Sequence, residues 1–508
     1  MGGRRHARRK EPTDRRRTGR HHRGPAMMAK SGEVSTLRAR NLLFITTDQQ
    51  RFDSLPSYGL DFVQAPNIER LAAEGVVFER CYTPAPVCVP CRAAWMTGQW
   101  PSTLGVLSNG QWLDPSTPTW PAHLSAAGLP TAAIGKMHFM PWDQPGGFDE
   151  RVSAEDKRHT YLPDDHFKYL RAHGIRRAHP TENPGYFESL GAPVTPLDRR
   201  FHVDGFTGNS AAEWLQQHGG DPFAIWVSFA GPHDPYDPPE DMADMYYEAP
   251  IPEPVGGPEE LVNKPKAQQS RTDSTGNSMF RIKPSDAAPE QIRRWRAHYY
   301  ANISLIDEGI GKMLAALEAR GVLDDTMIVF TSDHGDALGD HGLSYKGYFY
   351  ESMAHVPLIV RGPGVQSGVR CPSVVSGLDV VALFYEVCGV DPPETLQAVS
   401  PAPMLQDGAA STRDAVFCEI GGRVMVCDGR WKYVHYATGE AELYDLEQEP
   451  QEVDNLAGRQ ESAPQEARLR GLLLEHWLRN QSQQQIPTRQ PQHPFRVALE
   501  REFARQGR

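Results

Sequence analysis

Four short apolar runs in this 508-residue chain each end on residues able to handle a charged, oxygen-rich group. Leu42-Leu43-Phe44-Ile45 leads into Thr46-Thr47-Asp48-Gln49, and Ala132-Ala133-Ile134 leads into Gly135-Lys136-Met137-His138. Phe223-Ala224-Ile225-Trp226-Val227 leads into Ser228 and on to Gly231-Pro232-His233-Asp234, and Met327-Ile328-Val329-Phe330 leads into Thr331-Ser332-Asp333-His334-Gly335. Asp48, Asp333 and His334 are of the types that hold a divalent cation. Lys136 and Lys346 can bind an oxyanion as point charges, and His138 and His233 can move protons near neutral pH. One such residue at one strand end is usually a cap or a structural hydrogen-bonding group. Four ends delivering this set describe displacement at a charged sulfuryl or phosphoryl group, with a metal and cations stabilising the developing charge.

That chemistry lacks a nucleophile, and three of the seven cysteines cluster within Cys81-Tyr82-Thr83-Pro84-Ala85-Pro86-Val87-Cys88-Val89-Pro90-Cys91-Arg92. Cys88-x-x-Cys91 with an intervening proline has the look of a redox pair, but no compact redox βαβ unit surrounds it. Cys81, Cys88 and Cys91 could be three zinc ligands, but no neighbouring spacing supplies a partner pair. An odd cysteine number, with no apolar signal segment at the start, does not suggest a disulfide framework.

The elements that must position these residues follow from periodicity. From 41 to about 365, buried-strand runs alternate with helix-period segments, which predicts an α/β fold with a largely parallel sheet. Helices are expected at 66–75, 120–128, 209–218 and 289–320, the last opened by Pro289-Glu290-Gln291 and closed by Arg320-Gly321. In open parallel sheets sites form outside the carboxyl ends of the strands, which is where the polar residues fall. Segments 140–205 and 232–288 are rich in Pro, Gly and His with weak periodicity, and read as long functional loops. Beyond Pro363-Gly364 the pattern changes to short antiparallel strands with turns at Gly421-Gly422 and Asp428-Gly429, then a helix at 464–479. The expected organisation is a basic, disordered leader (1–38), a catalytic domain (39–375), a smaller α+β subdomain (376–480) and an extended polar tail (481–508).

Residues 1–40 hold 13 of the 53 Lys/Arg and 3 of the 64 Asp/Glu, leaving 40 against 61 in the remainder. An acidic body argues against nucleic acid as a partner, and no apolar run reaches the ~18 residues of a membrane helix. The leader reads as a nucleic-acid-binding or targeting arm, or as sequence ahead of a true start at Met27 or Met28. The second reading is favoured, because nothing before Asn41 can pack. With no signal segment, a microbial cytoplasmic location is expected.

Cys88-x-Pro90-x-Arg92, followed by Ala93-Ala94-Trp95-Met96-Thr97-Gly98, resembles the type I sulfatases of the alkaline-phosphatase superfamily. The flanking residues appear in the family's order: Asp48, Lys136-Met137-His138, His233, Thr331-Ser332-Asp333-His334-Gly335, Lys346, and Glu442-Leu443-Tyr444-Asp445-Leu446 near the end. The resemblance spans roughly 41–460. It implies an alkaline-phosphatase-like core with a smaller C-terminal α+β subdomain, and a maturase that converts Cys88 to formylglycine, whose hydrate is the nucleophile. It implies that Asp48, Asp333, His334 and residue 88 ligate one divalent metal with Gln49 beside them, and that Arg92 and Lys346 orient the hydrate. One hydroxyl would attack sulfur, with Lys136, Lys346 and Asn109 gripping the sulfate oxygens and His233 protonating the leaving oxygen. His138 would help the second hydroxyl expel sulfate.

Two departures qualify the resemblance. Cys91 stands where the family usually has Ser, and modification is expected at Cys88 because Pro90 and Arg92 keep their places. Asp48-Gln49 and Asp333-His334, with Asn109, resemble choline sulfatases and phosphonate monoester hydrolases. An imidazole ligand suits Mn²⁺ better than Ca²⁺, so either ion is in play. Lys136-x-His138 leans toward sulfatases. The expected function is hydrolysis of a small-molecule sulfate ester. The alternatives are phosphonate monoester or phosphodiester hydrolysis at the same site, or a non-catalytic relative that keeps the metal. Asp336, Asp340 and His341 are expected to hold their loop through hydrogen bonds, and the tail from Asn480 either to embrace a neighbouring subunit in a homo-oligomer or to be disordered.

Overall fold

The computed structural model describes residues 37–218, 222–269 and 287–481. Residues 1–36 of the expected leader and nearly all of the expected polar tail lie outside the described residues, as does 270–286 of the second long loop; Leu37, expected to lie in an unpacked leader, is instead buried in the core against the helix Val380–Cys388. The four apolar runs form strands β1 (Asn41–Asp48), β3 (Thr131–Gly135), β5 (Ala224–Pro232) and β6 (Thr326–Ser332). They join β2 (Val76–Tyr82), β4 (Glu150–Ser153), β7 (His355–Arg361) and β8 (Val369–Ser376) in one sheet of order β4-β3-β5-β1-β6-β7-β2-β8. Every pairing is parallel except those of β7 with β6 and β2. The α/β reading therefore holds.

Both faces of the sheet are buried, as a parallel sheet requires. Side chains alternate across β1: Leu43 and Ile45 enter one core with the helices Pro66–Glu74, Val203–His218 and Pro289–Ala319. Leu42 and Phe44 enter the other with the helices Cys88–Thr97, Trp120–Ala126 and Val380–Cys388. There the Phe44 ring lies 5.4 Å from Trp95, 5.3 Å from Trp226 and 4.9 Å from Phe384.

The expected helix 209–218 begins six residues earlier, at Val203. Gly205 and Gly208 weaken helix propensity there, and the packing explains them. A Cβ on Gly208 would lie 2.6 Å from the Gly309 Cα, so the two long helices meet backbone to backbone. Gly309 thus serves helix contact, consistent with the absence of phosphate-loop spacing around it. The first long loop is not structureless: it carries edge strand β4 and the helix Asp165–Ala172.

The C-terminal subdomain is an antiparallel meander, β9 (Val416–Ile420), β10 (Arg423–Cys427), β11 (Trp431–Tyr436) and β12 (Ala441–Asp445), with the helix Ala463–Gln481 packed on it. Its β11 sends the buried Lys432 ammonium to Glu351 (2.5 Å), Glu452 (2.7 Å) and the Phe349 carbonyl (2.9 Å). The subdomain thereby grips the chain just after Lys346. Among the described residues no helix is long and apolar enough to cross a membrane.

Two outcomes follow for stability. Gly208→Leu forces the two helices apart and should cost about 1–3 kcal/mol, read as a lower denaturant midpoint. Lys432→Met leaves the buried Glu452 without its cation and should cost about 3–5 kcal/mol in the same assay.

Candidate active site

The strand order puts β3, β5, β1 and β6 side by side, so the four polar ends sit next to one another. Thr47 pairs with Ser332, and the Gln49 N–H donates to Asp333 Oδ1 at 3.0 Å, which locks the ends of β1 and β6 together. On β3, the Lys136 N–H donates to the Ser228 carbonyl at 2.8 Å. Gly135 makes that approach possible: its φ is +97°, and a Cβ would lie 2.0 Å from the same oxygen. Gly335 likewise has the Ser352 carbonyl 2.0 Å from where a Cβ would stand. Gln49, His138 and Tyr345 hold positive φ values of 71°, 60° and 65°. Strained backbone of this kind clusters at functional sites.

Cys88 opens the helix Cys88–Thr97, whose residues are all buried. Its Sγ lies 3.2 Å from His334 Nε2 and 3.7 Å from Asp48 Oδ1. One ligand atom each from Asp48, Cys88, Asp333 and His334 lies within 4.8 Å of the others. His334 Nδ1 faces the Gly335 carbonyl at 2.9 Å, so Nδ1 carries the proton and Nε2 is bare toward the group. Two carboxylates, a bare imidazole nitrogen and a fourth donor position suit one divalent cation.

The carboxylate oxygens facing away from that group are occupied. Arg92 donates from Nη2 to Asp48 Oδ2 at 3.1 Å and from Nε to Asp333 Oδ2 at 3.0 Å, and its Nη1 reaches the Lys136 carbonyl and Ser228 Oγ. Lys136 Nζ lies 2.9 Å from Asp48 Oδ2. Burial alone would raise the Asp48 carboxyl, but Lys136, His233, Lys346 and Arg92 hold it well below the usual range. Burial and the neighbouring Asp48 push Asp333 up to about 6.

The two cysteines of the run part company. Burial and Asp48 oppose ionisation of Cys88, yet Lys346, His334 and His138 hold its thiol well below the ordinary value. Cys91 turns into the apolar core and accepts from Thr83 Oγ1 at 3.3 Å, and burial with Asp333 pushes its thiol up. Cys81 also lies in that core, so the three cysteines do not gather as zinc ligands.

Lys346 Nζ donates to Gln49 Oε1 at 2.5 Å and lies 4.0 Å from Asp48 Oδ1. Gln49 is thus tied to Lys346, and through its amide nitrogen to Asp336, beside the four donors. His233 Nε2 lies 4.0 Å from Asp48 Oδ1, and burial followed by Lys346 lowers its pKa. Asn109 stands exposed at the rim, its Oδ1 accepting from the Val89 N–H at 3.0 Å. The loop residues do hold their loop: Asp336 accepts from Gln49 and Tyr236, and Asp340 pairs with Arg51 and Arg296. Asp156, Arg158 and Asp234 also border the site and were not anticipated. They lie in or beside the aperiodic loops, where nothing separates Arg158 from any other arginine.

Arg92→Leu leaves Asp48 and Asp333 buried without their shared cation; a loss of about 3–5 kcal/mol is expected, measured by chemical denaturation.

The protein-family model described as Sulfatase matches residues 40–390, and one described as N-sulphoglucosamine sulphohydrolase, C-terminal, matches 339–479. The chain is 34% identical over 458 residues to a choline-sulfatase of Rhizobium meliloti (strain 1021), covering 86% of each. It is 28% identical to an arylsulfatase of Clostridium perfringens (strain 13 / Type A), over 85% of this chain and 93% of that protein. Among solved structures it is similar to a phosphonate monoester hydrolase of Agrobacterium radiobacter, with a TM-score of 0.76 and 25% identity, covering 87% of this chain and 96% of that one.

Proposed function

The chain belongs to the sulfatase family and is a sulfuric ester hydrolase; from that premise we propose that it cleaves a small-molecule sulfate ester with a nucleophile made by oxidising Cys88. The observation that carries this is the position of Cys88. Its sulfur stands among Asp48, Asp333 and His334 and within the field of Lys346, while Cys91 is turned away. Converted by a maturase to formylglycine, residue 88 would supply a hydrated aldehyde hydroxyl as nucleophile. Asp48, Asp333, His334 and residue 88 would hold one divalent ion, Ca²⁺ or Mn²⁺, which when bound supplies Lewis acidity toward oxygen.

The chain's own residues take the remaining roles. Arg92 fixes both carboxylates, so their outer oxygens face one point. Lys136 and Lys346 would bind the sulfate oxygens as point charges from two sides. Asn109, with its Oδ1 taken by Val89, keeps its NH₂ group for a third oxygen. His233 Nε2 would give a proton to the leaving oxygen, and His138 would take one from the second hydroxyl of residue 88. A formylglycine-generating maturase is then a required partner.

Phosphonate monoester hydrolysis is the second reading, supported by the structural likeness and by the Gln49 and His334 departures. Lys136 and His138 favour sulfate.

Co-expressed with a maturase and supplied with Mn²⁺ or Ca²⁺, the protein should hydrolyse an aryl sulfate faster than an aryl phosphonate monoester. Cys88→Ala should remove at least about a thousandfold of that rate. A phosphonate preference that also vanishes in Cys88→Ala would move the protein to the second reading. Equilibrium dialysis of the metal-depleted protein should show one tight divalent ion per chain, and Asp333→Ala should weaken it by at least about a hundredfold.

A further inference from the structure

Arg158 is held in an unusual number of places for a loop side chain. Its backbone N–H and its Nε both donate to Asp156 Oδ1, at 2.8 and 3.0 Å, and its Nη2 donates to Asp156 Oδ2 at 3.0 Å. Its Nη1 lies 3.5 Å from Asp234 Oδ2. Nη2 also faces His233 Nε2 at 3.4 Å. A guanidinium only donates, so His233 meets it with a bare Nε2. His233 Nδ1 then carries the ring proton, which it gives to the Asp234 carbonyl at 2.8 Å, with Asp234 Oδ1 at 3.0 Å. The imidazole is therefore pinned at both nitrogens.

Asp156 does more than hold Arg158. Its Oδ2 lies 3.3 Å from Lys136 Nζ, and its carbonyl accepts from Arg177 Nη2 at 2.6 Å. Arg177 in turn pairs with the buried Asp164 at 2.9 Å. The turn at 156–158 is thus anchored from behind and joins Lys136, just after β3, to His233, just after β5.

We infer that Arg158 is a positioning residue for His233, fixing the direction in which Nε2 meets the leaving-group oxygen. The inference rests on the sulfatase reading above. Nε2 is bare in this arrangement, so it takes up a proton from solvent before giving it to that oxygen, which ends its bond to Nη2; Nδ1 stays bonded to Asp234, and Arg158, held on Asp156 and Asp234, keeps the ring aimed. A leaving oxygen entering the site takes the place of Nη2 at Nε2, and the guanidinium remains on Asp156 and Asp234.

The test uses the maturase-treated, metal-loaded full chain and a series of aryl sulfates whose phenols rise in pKa. In Arg158→Ala the loss should be a few-fold for 4-nitrophenyl sulfate and about a hundredfold for phenyl sulfate, in kcat rather than KM. His233→Ala should give the same steepened dependence, and the double variant should lose no more than His233→Ala alone. Arg158→Lys keeps a cation on Asp156, and so the loop, but its single ammonium does not also reach Asp234, which holds Nδ1; it should show the steep dependence too. An equal loss across the series, a loss confined to KM, or additive losses in the double variant would overturn the role of Arg158 while leaving the sulfatase reading intact. A wild type inactive on every member would overturn both.

Discussion

Arg92, buried between Asp48 and Asp333, is the interaction on which the rest of the site depends. Two carboxylates brought together away from water repel each other and are costly to ionise. One planar guanidinium bridging an oxygen of each offsets that cost and fixes their orientation. The outer oxygens are then left to face Cys88 and His334. Lys136 reinforces the arrangement on Asp48 from the β3 side. The site is a cluster of opposed charges gathered around Cys88.

Everything larger serves to bring those charges together. Parallel order places the ends of β3, β5, β1 and β6 in a row, and the first helix after β2 starts at Cys88 and carries Arg92 one turn later. Trp95 on that helix packs edge-on against Phe44 of β1 at 5.4 Å, fixing helix to sheet. Lys346 lies on no regular element. Its loop is held by Asp336 and Asp340 on one side and by Lys432 of the C-terminal sheet on the other. The small subdomain therefore contributes to the site by holding a loop in place.

Much of this was legible in the residues. Runs such as Leu42–Ile45 and Met327–Phe330 are short, bounded and apolar on both faces, which only a covered parallel strand explains, and the polar residues follow them directly. The start of the helix at Val203 was not legible, because Gly205 and Gly208 look like breakers until Gly309 is seen against them. Arg158 and Asp156 were not legible either. Their partners Lys136 and His233 are 20 or more residues away in the chain, and a loop without periodicity carries no mark of what it will face. The separation of Cys88 from Cys91 is likewise tertiary: one turn of helix puts one sulfur beside His334 and the other beside Thr83.

Residue 88 is proposed to act as an oxidised cysteine within this charge cluster. The most direct test is the mass of the proteolytic peptide spanning Cys88 and Cys91, taken from protein made with a maturase and shown to be active on a sulfate ester. An aldehyde at position 88, with Cys91 still a thiol, is the predicted result. An active protein whose Cys88 is wholly an unmodified thiol would rule out an oxidised nucleophile there.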